Sequence, residues 1–300
     1  MRFERSVGRV DAVEISWIGV RPVEWALHDA FSHLPFCVVA ILFEVGVGRS
    51  GWLTGLAASD WYSGLAPRPE DLATGEEPSG RWSMPSGAGE AGVAALLSSS
   101  HVPDAQWWAG IAVTPETGAA QRPAVLGLVS ALRQRRSTAG DPLPVVVTLE
   151  GPSLDDEPFV SQLLERGAFV IRAGRDVGGD HLHHFPLRAF AADPRLVCID
   201  LFDTLSLWRP GRPATLHLLP LNFEKAVQAM EDIPVPPVGA QAVDVRFHFR
   251  PDWADVQLEE NCELADYCAS RFVRDDGHYQ YTNDRRLDGV SGSVDLLIID

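Results

Sequence analysis

Lysine is almost missing from this sequence. Among 25 lysines and arginines in 300 residues, Lys225 is the only lysine. A mechanism that depends on a specific lysine therefore has one candidate, and an active phosphate-binding P-loop has none in the right place. Cysteine is also scarce. Cys37, Cys198, Cys262 and Cys268 form no CxxC pair, and three of them sit in apolar or amphipathic runs, which argues for reduced buried thiols over a disulfide framework. No long hydrophobic run is present. The longest, FCVVAILF at Phe36 to Phe43, has eight residues, whereas a membrane-spanning helix needs about 20. The N-terminal charges of MRFERSVGRVDAVE precede no apolar stretch of signal-peptide length, so a cytoplasmic protein is expected.

Positive charge is short overall. The net charge is −16, with an isoelectric point near 4.9. Such a field repels nucleic-acid and anionic-membrane phosphates, and no basic stripe interleaved with aromatics offsets it. The densest cationic spot, ALRQRRS (Ala131 to Ser137), reads as a helix C-terminus complementing its dipole. These features exclude nucleic acid and membrane as partners. A basic protein partner is electrostatically easier to accept; a homo-oligomer is left open.

What is present is an alternation of apolar strands and amphipathic helices. Strands are expected at Val10 to Gly19, Phe36 to Phe43, Trp107 to Val113, Pro144 to Gly151, Ala168 to Gly174 and Leu196 to Phe202. Helices are expected at Arg21 to Leu34, Ser50 to Ala66, Glu90 to Ser100, Thr117 to Arg136 and Glu157 to Arg166. This order implies an α/β fold, a mostly parallel sheet flanked by helices. Residues 1–232 read as the α/β domain, with 67–89, rich in Pro, Gly, Ser and Glu, as an exposed loop or flexible insertion. The proline-rich connector 233–239 then leads to 240–300, where a strand, a helix at Leu258 to Phe272 and two further strands suggest a small α+β (β-α-β-β) subdomain.

Four stretches hold candidate chemistry. In EVGVGRSGWLTG (Glu44 to Gly55), Gly46 and Gly51 have P-loop spacing, but Trp52 and Leu53 stand where the lysine and the Ser/Thr belong. Arg49 is the one cation inside the loop, so the stretch reads as a turn or a degenerate phosphate loop, with nucleotide disfavoured as a cofactor. In GGDHLHHFPLRAF (Gly178 to Phe190), Asp180, His181, His183 and His184 could supply ligands to zinc or another divalent metal. On an extended segment His181 and His183 would share a face, with His217 or His248 as a further ligand; the alternative is a polar loop before a helix at Leu187 to Ala192.

VCIDLFDTLSLW (Val197 to Trp208) resembles the first motif of haloacid-dehalogenase-like hydrolases. The resemblance makes Asp200 the nucleophile and Thr204 the motif threonine, while Phe202 replaces the acid/base aspartate and Asp203 falls one place out of register. VTPETGAAQRPAV (Val113 to Val125), a strand, a Thr/Gly turn and a helix followed by the strand VVVTLEG, is similar in organisation to the nucleotide domain of tubulin and its bacterial relative FtsZ. Thr117 and Gly118 are what remains there of that family's glycine-rich phosphate loop. The sequence thus supports a non-catalytic acidic protein, a scaffold, accessory or assembly factor on a degenerate enzyme-like fold. The alternative is a metal-dependent or dehalogenase-like hydrolase using residues 181–184 and Asp200.

Overall fold

A computed structural model describes residues 12–21, 40–46, 51–59, 62, 65–68, 72, 74–99, 102–105, 107–115, 117–137, 140–150, 157–174, 176–191, 201–249, 258–285 and 292–300. Ten strands run through them: β1 (Ala12–Val20), β2 (Ala40–Gly46), β3 (Ser79–Pro85), β4 (Trp108–Val113), β5 (Val145–Leu149), β6 (Phe169–Ala173), β7 (Pro213–Pro220), β8 (Ala240–Phe249), β9 (Val273–Arg285) and β10 (Ser293–Ile299). All belong to one sheet of order β3-β1-β2-β4-β5-β6-β7-β10-β8-β9. The centre, β2-β4-β5-β6-β7, is parallel. At one end β1 pairs antiparallel with both β2 and β3. At the other, β10 is antiparallel to both β7 and β8, and β9 runs parallel to β8. The sheet is therefore mixed, with helices on both faces, rather than mostly parallel throughout.

Every residue of β4 and β5 is buried, as expected for central strands covered on both sides. On β2, side-chain alternation sends Ile41, Phe43 and Val45 to one face and Ala40 and Leu42 to the other. The first face packs against α2 (Gly89–Ser99), α3 (Arg122–Gln134) and α4 (Glu157–Glu165), through Val93, Val125, Leu128, Val129, Leu132, Phe159 and Leu163. The second face is covered by α1 (Trp52–Ala57) and α5 (Gly179–Ala191), through Leu53, Leu56, Leu182 and Phe185. The helix α6 (Leu201–Leu207) follows α5 and ends at Trp208, which is buried in that same core. A third core joins α7 (Phe223–Glu231) and α8 (Leu258–Phe272) to Val243, Val245, Phe247 and Leu296 of the C-terminal strands.

Several elements differ from the sequence reading. Ser79–Pro85, within the stretch read as a loop, forms the edge strand β3 against β1. Gly80 is required there, because a Cβ would meet the Trp17 indole at 2.7 Å. The helix at α3 starts at Arg122, five residues after the expected Thr117, leaving Thr114 to Gln121 as a turn. Of the helix expected at 21–34 only Arg21 is described, and it is not helical; 22–34 lie outside the described residues, as do 36–39 of the strand expected before β2.

Candidate functional site

The chain changes direction in the sheet between β2 and β4. From β2 it passes to the edge strand β3, then returns to place β4 on the opposite side of β2. An open α/β sheet forms a crevice at such a switch point, outside the carboxyl ends of its parallel strands. Here that point falls between the end of β2 at Gly46 and the described residues of the segment from Thr114 to Gln121. Thr117 ties the two together. Its buried hydroxyl donates to the Val45 carbonyl at the end of β2 and accepts from the Thr114 N–H at 3.2 Å. Gly118, Ala119 and Ala120 are exposed at the mouth of the turn, and Gln121 is buried just before α3.

On the α1 side, Glu44 points away from the Ile41/Phe43/Val45 face. Its carboxylate accepts from the N–H of Trp52 at 2.8 Å and of Leu53 at 3.0 Å. Gly51 must be glycine because that carboxylate lies where a side chain would begin. The Trp52 ring then meets His183 and His184 of α5, with centroids 5.4 and 5.5 Å away. His183 Nδ1 is 2.7 Å from the Thr148 hydroxyl on β5, and its Nε2 is 3.2 Å from Glu150 at the strand's end. The hydrogen bond from His183 holds the Glu150 carboxyl below its ordinary value, against the opposing effect of burial.

The histidine segment is helical, and this corrects the expected extended loop. A helix turns about 100° per residue, so His181 and His183 point in different directions. His181 Nε2 reaches Asp295 at 2.5 Å, His183 turns to Thr148 and Glu150, His184 meets Trp52, and Asp180 is exposed. Asp295 is fully buried and also pairs with His248 at 2.8 Å and Arg188 at 3.4 Å. Burial alone would raise its pKa; the charge of His248, the hydrogen bonds of His181 and His248, and Arg188 outweigh that and hold it well below the ordinary carboxylate range. Among the described residues, no group of three or more His, Cys, Asp or Glu is disposed to hold a metal ion. His217, named as a further ligand, is instead buried, with its pKa pushed down to about 4 by desolvation.

Of the phosphate-loop residues, Gly46 ends β2, Gly51 precedes α1, and Arg49 lies outside the described residues. Asp200 also lies outside them. Leu201–Leu207, which includes the last two residues of the strand expected there, is helix α6. Thr204 is buried and accepts a hydrogen bond from Arg246 at 3.2 Å, as part of a cluster with Asp244. Sequence reasoning missed Glu44, Thr148, Glu150 and Gln121. Glu44 carried one signal, a lone carboxylate in an apolar strand two residues before a glycine.

No family model matches the chain, and no curated protein is detectably similar in sequence. Solved structures are similar in fold. A point mutant of FtsZ from M. jannaschii is 14% identical, with a TM-score of 0.50, over 70% of this chain and 68% of that one. An empty FtsZ dimer from M. jannaschii is 13% identical, also with a TM-score of 0.50, over 70% of this chain and 65% of that one. This fold likeness overturns the expected function. The chain carries the fold of FtsZ rather than that of a dehalogenase-like or histidine-metal hydrolase, and an accessory scaffold with a degenerate nucleotide site is corrected with it. The similarity in organisation at Val113 to Val125 pointed to this fold.

Proposed function

We propose that this chain binds a nucleotide in the switch-point crevice and assembles with copies of itself. The observation that supports this most strongly is the coincidence of an FtsZ-like fold with a switch point at which Thr117 straps the turn before α3 to the end of β2. An FtsZ dimer is among the similar structures, which favours self-association as the second half of the reading.

With a net charge of −16 and a single lysine at 225, phosphate charge has to be met locally. The turn before α3 leaves Gly118, Ala119 and Ala120 exposed, and the 13-residue helix adds the positive end of its dipole. Arg122, the first residue of that helix, adds a guanidinium stacked 5.1 Å over the Phe159 ring. On the other wall Trp52 offers an aromatic surface, and its indole Nε1 has no hydrogen-bond partner. We place the base on that side and the phosphate at the β4–α3 turn. Residues 240–300, packed with α7 in the third core, act in this reading as a subdomain that can contribute to contacts between copies.

Isothermal titration with GDP and ADP tests the binding half. One of them is expected to bind with a Kd on the order of 1 µM. Thr117→Val should weaken it at least about tenfold, because losing the strap leaves the turn unanchored from the end of β2. Sedimentation with and without nucleotide tests assembly. No binding of either nucleotide at about 1 mM would overturn the proposal.

A further inference from the structure

Large apolar side chains are seldom left in water by this fold, yet two of them stand close together in the connector between α7 and β8. Among the described residues the large hydrophobics that stay exposed are Val235, Val238 and Tyr279, and Val238 is 80% exposed. Both valines belong to IPVPPVG, Ile233 to Gly239. Burial along that stretch recurs at every third residue. Ile233 is buried, Pro236 and Gly239 are half-buried, and Pro234, Val235, Pro237 and Val238 are exposed. Three residues per turn is the period of a polyproline II helix. The local chemistry favours that conformation, since each proline fixes its own φ and pushes the residue before it, here Ile233, Val235 and Pro236, into the extended region. Both ends of the stretch are held. Ile233 packs in the third core, and Arg271 of α8 donates to the carbonyls of Glu231 at 3.3 Å and Ile233 at 3.5 Å. The Gly239 N–H donates to the Pro236 carbonyl at 2.9 Å, in a turn that carries Val238 at its tip. Gly239 itself has a φ of 73°, and a Cβ there would meet Arg274.

We infer that residues 233–239 are a docking segment for a protein module whose groove is lined with aromatic rings and rimmed by basic residues. Such grooves recognise polyproline II ligands by seating prolines spaced three apart between their rings. Pro234 and Pro237 have that spacing, one turn or about 9 Å apart along the helix, and both are exposed. Val235 and Val238 add apolar surface beside them. Pro234, Pro236 and Pro237 carry no N–H, so a closing groove strips few backbone donors of water, and a stretch already stiff and pinned at both ends loses little freedom on binding. The basic rim follows from charge: Glu231 and Asp232 are exposed just before the segment, and the chain's net charge is −16. None of these residues belongs to the nucleotide site proposed above, so the two readings stand or fall separately.

The test is a nuclear magnetic resonance titration of two isotopically labelled WW domains with the full chain. One domain has a basic rim to its aromatic groove and the other an acidic rim. The groove signals of the basic-rimmed domain should shift with a Kd on the order of 100 µM, at least about threefold tighter than for the acidic-rimmed one. Added salt should narrow that gap. Pro234→Ala/Pro237→Ala should weaken binding at least about tenfold, and Val238→Asp should weaken it by a smaller factor, with thermal melts confirming that both variants fold. No groove shift in either domain at about 1 mM chain would overturn the inference, and that arm needs no variant. Binding unchanged in the folded double variant would overturn it as well, by placing the contact elsewhere on the chain. Equal binding by the two domains would overturn the basic rim.

Discussion

His217 shows how one residue carries a consequence for the whole chain. It is 7% exposed, and desolvation lowers its pKa to about 4, whereas a histidine in the unfolded chain titrates near 6.5. The folded state therefore binds fewer protons than the unfolded state between those values. The resulting stability is present above about pH 6.5 and is lost as the pH falls toward 4, by up to ~3 kcal/mol. Urea titrations at pH 7 and pH 4.5 should show that loss, and His217→Gln should flatten the part it contributes. An unchanged difference in the variant would assign the pH dependence to other groups. Single residues were also the least legible part of the site. Gly46, Gly51, Thr117 and Gly118, which the proposal uses, stood out in the sequence because glycine turns after apolar strands have a signature. Glu44 and Glu150 could not, since a carboxylate at a strand end has no motif and acquires its role only from what folds against it. The lysine argument was correct chemistry for one kind of phosphate loop and did not bear on sites built from backbone amides.

Legibility at the scale of elements followed burial. The strands β2, β4, β5, β6 and β10 were visible as short continuous apolar runs, because both faces of each are covered. The edge strand β3, SGRWSMP, was not, since its side chains are largely exposed and it holds a glycine for close approach to Trp17. Helix α5 was hidden by its histidines, by Pro186 inside it and by the Gly-Gly before it, all of which suggest a loop. Packing overrides those local preferences. Phe185 of α5 stacks on Trp208 with centroids 5.5 Å apart, and Trp208 stacks on Phe169 of β6 at 5.4 Å. That sandwich clamps α5 to the sheet and so positions His183 against Thr148 and Glu150. Trp208→Ala should cost about 3–5 kcal/mol in a denaturant titration. A cost below about 1 kcal/mol would mean that the sandwich does not hold the helix.

For the whole molecule, an α/β sheet flanked by helices could be read from the order of apolar and amphipathic segments. Its mixed character could not. Pairing direction depends on where the chain reverses, and β1 against β2 and β10 between β7 and β8 leave no local trace in composition. The same reversal creates the switch point, so the proposed site is a property of topology before it is a property of any motif. No helix among the described residues is long and apolar enough to cross a membrane.

Amide hydrogen exchange with and without GDP tests the central claim most directly, because it reports both whether a nucleotide binds and where. Nucleotide should slow exchange in the turn from Thr114 to Gln121 and the first turn of α3, with little change at the far edge strand β9. Binding accompanied by protection elsewhere, with the β4–α3 turn unaffected, would contradict the account.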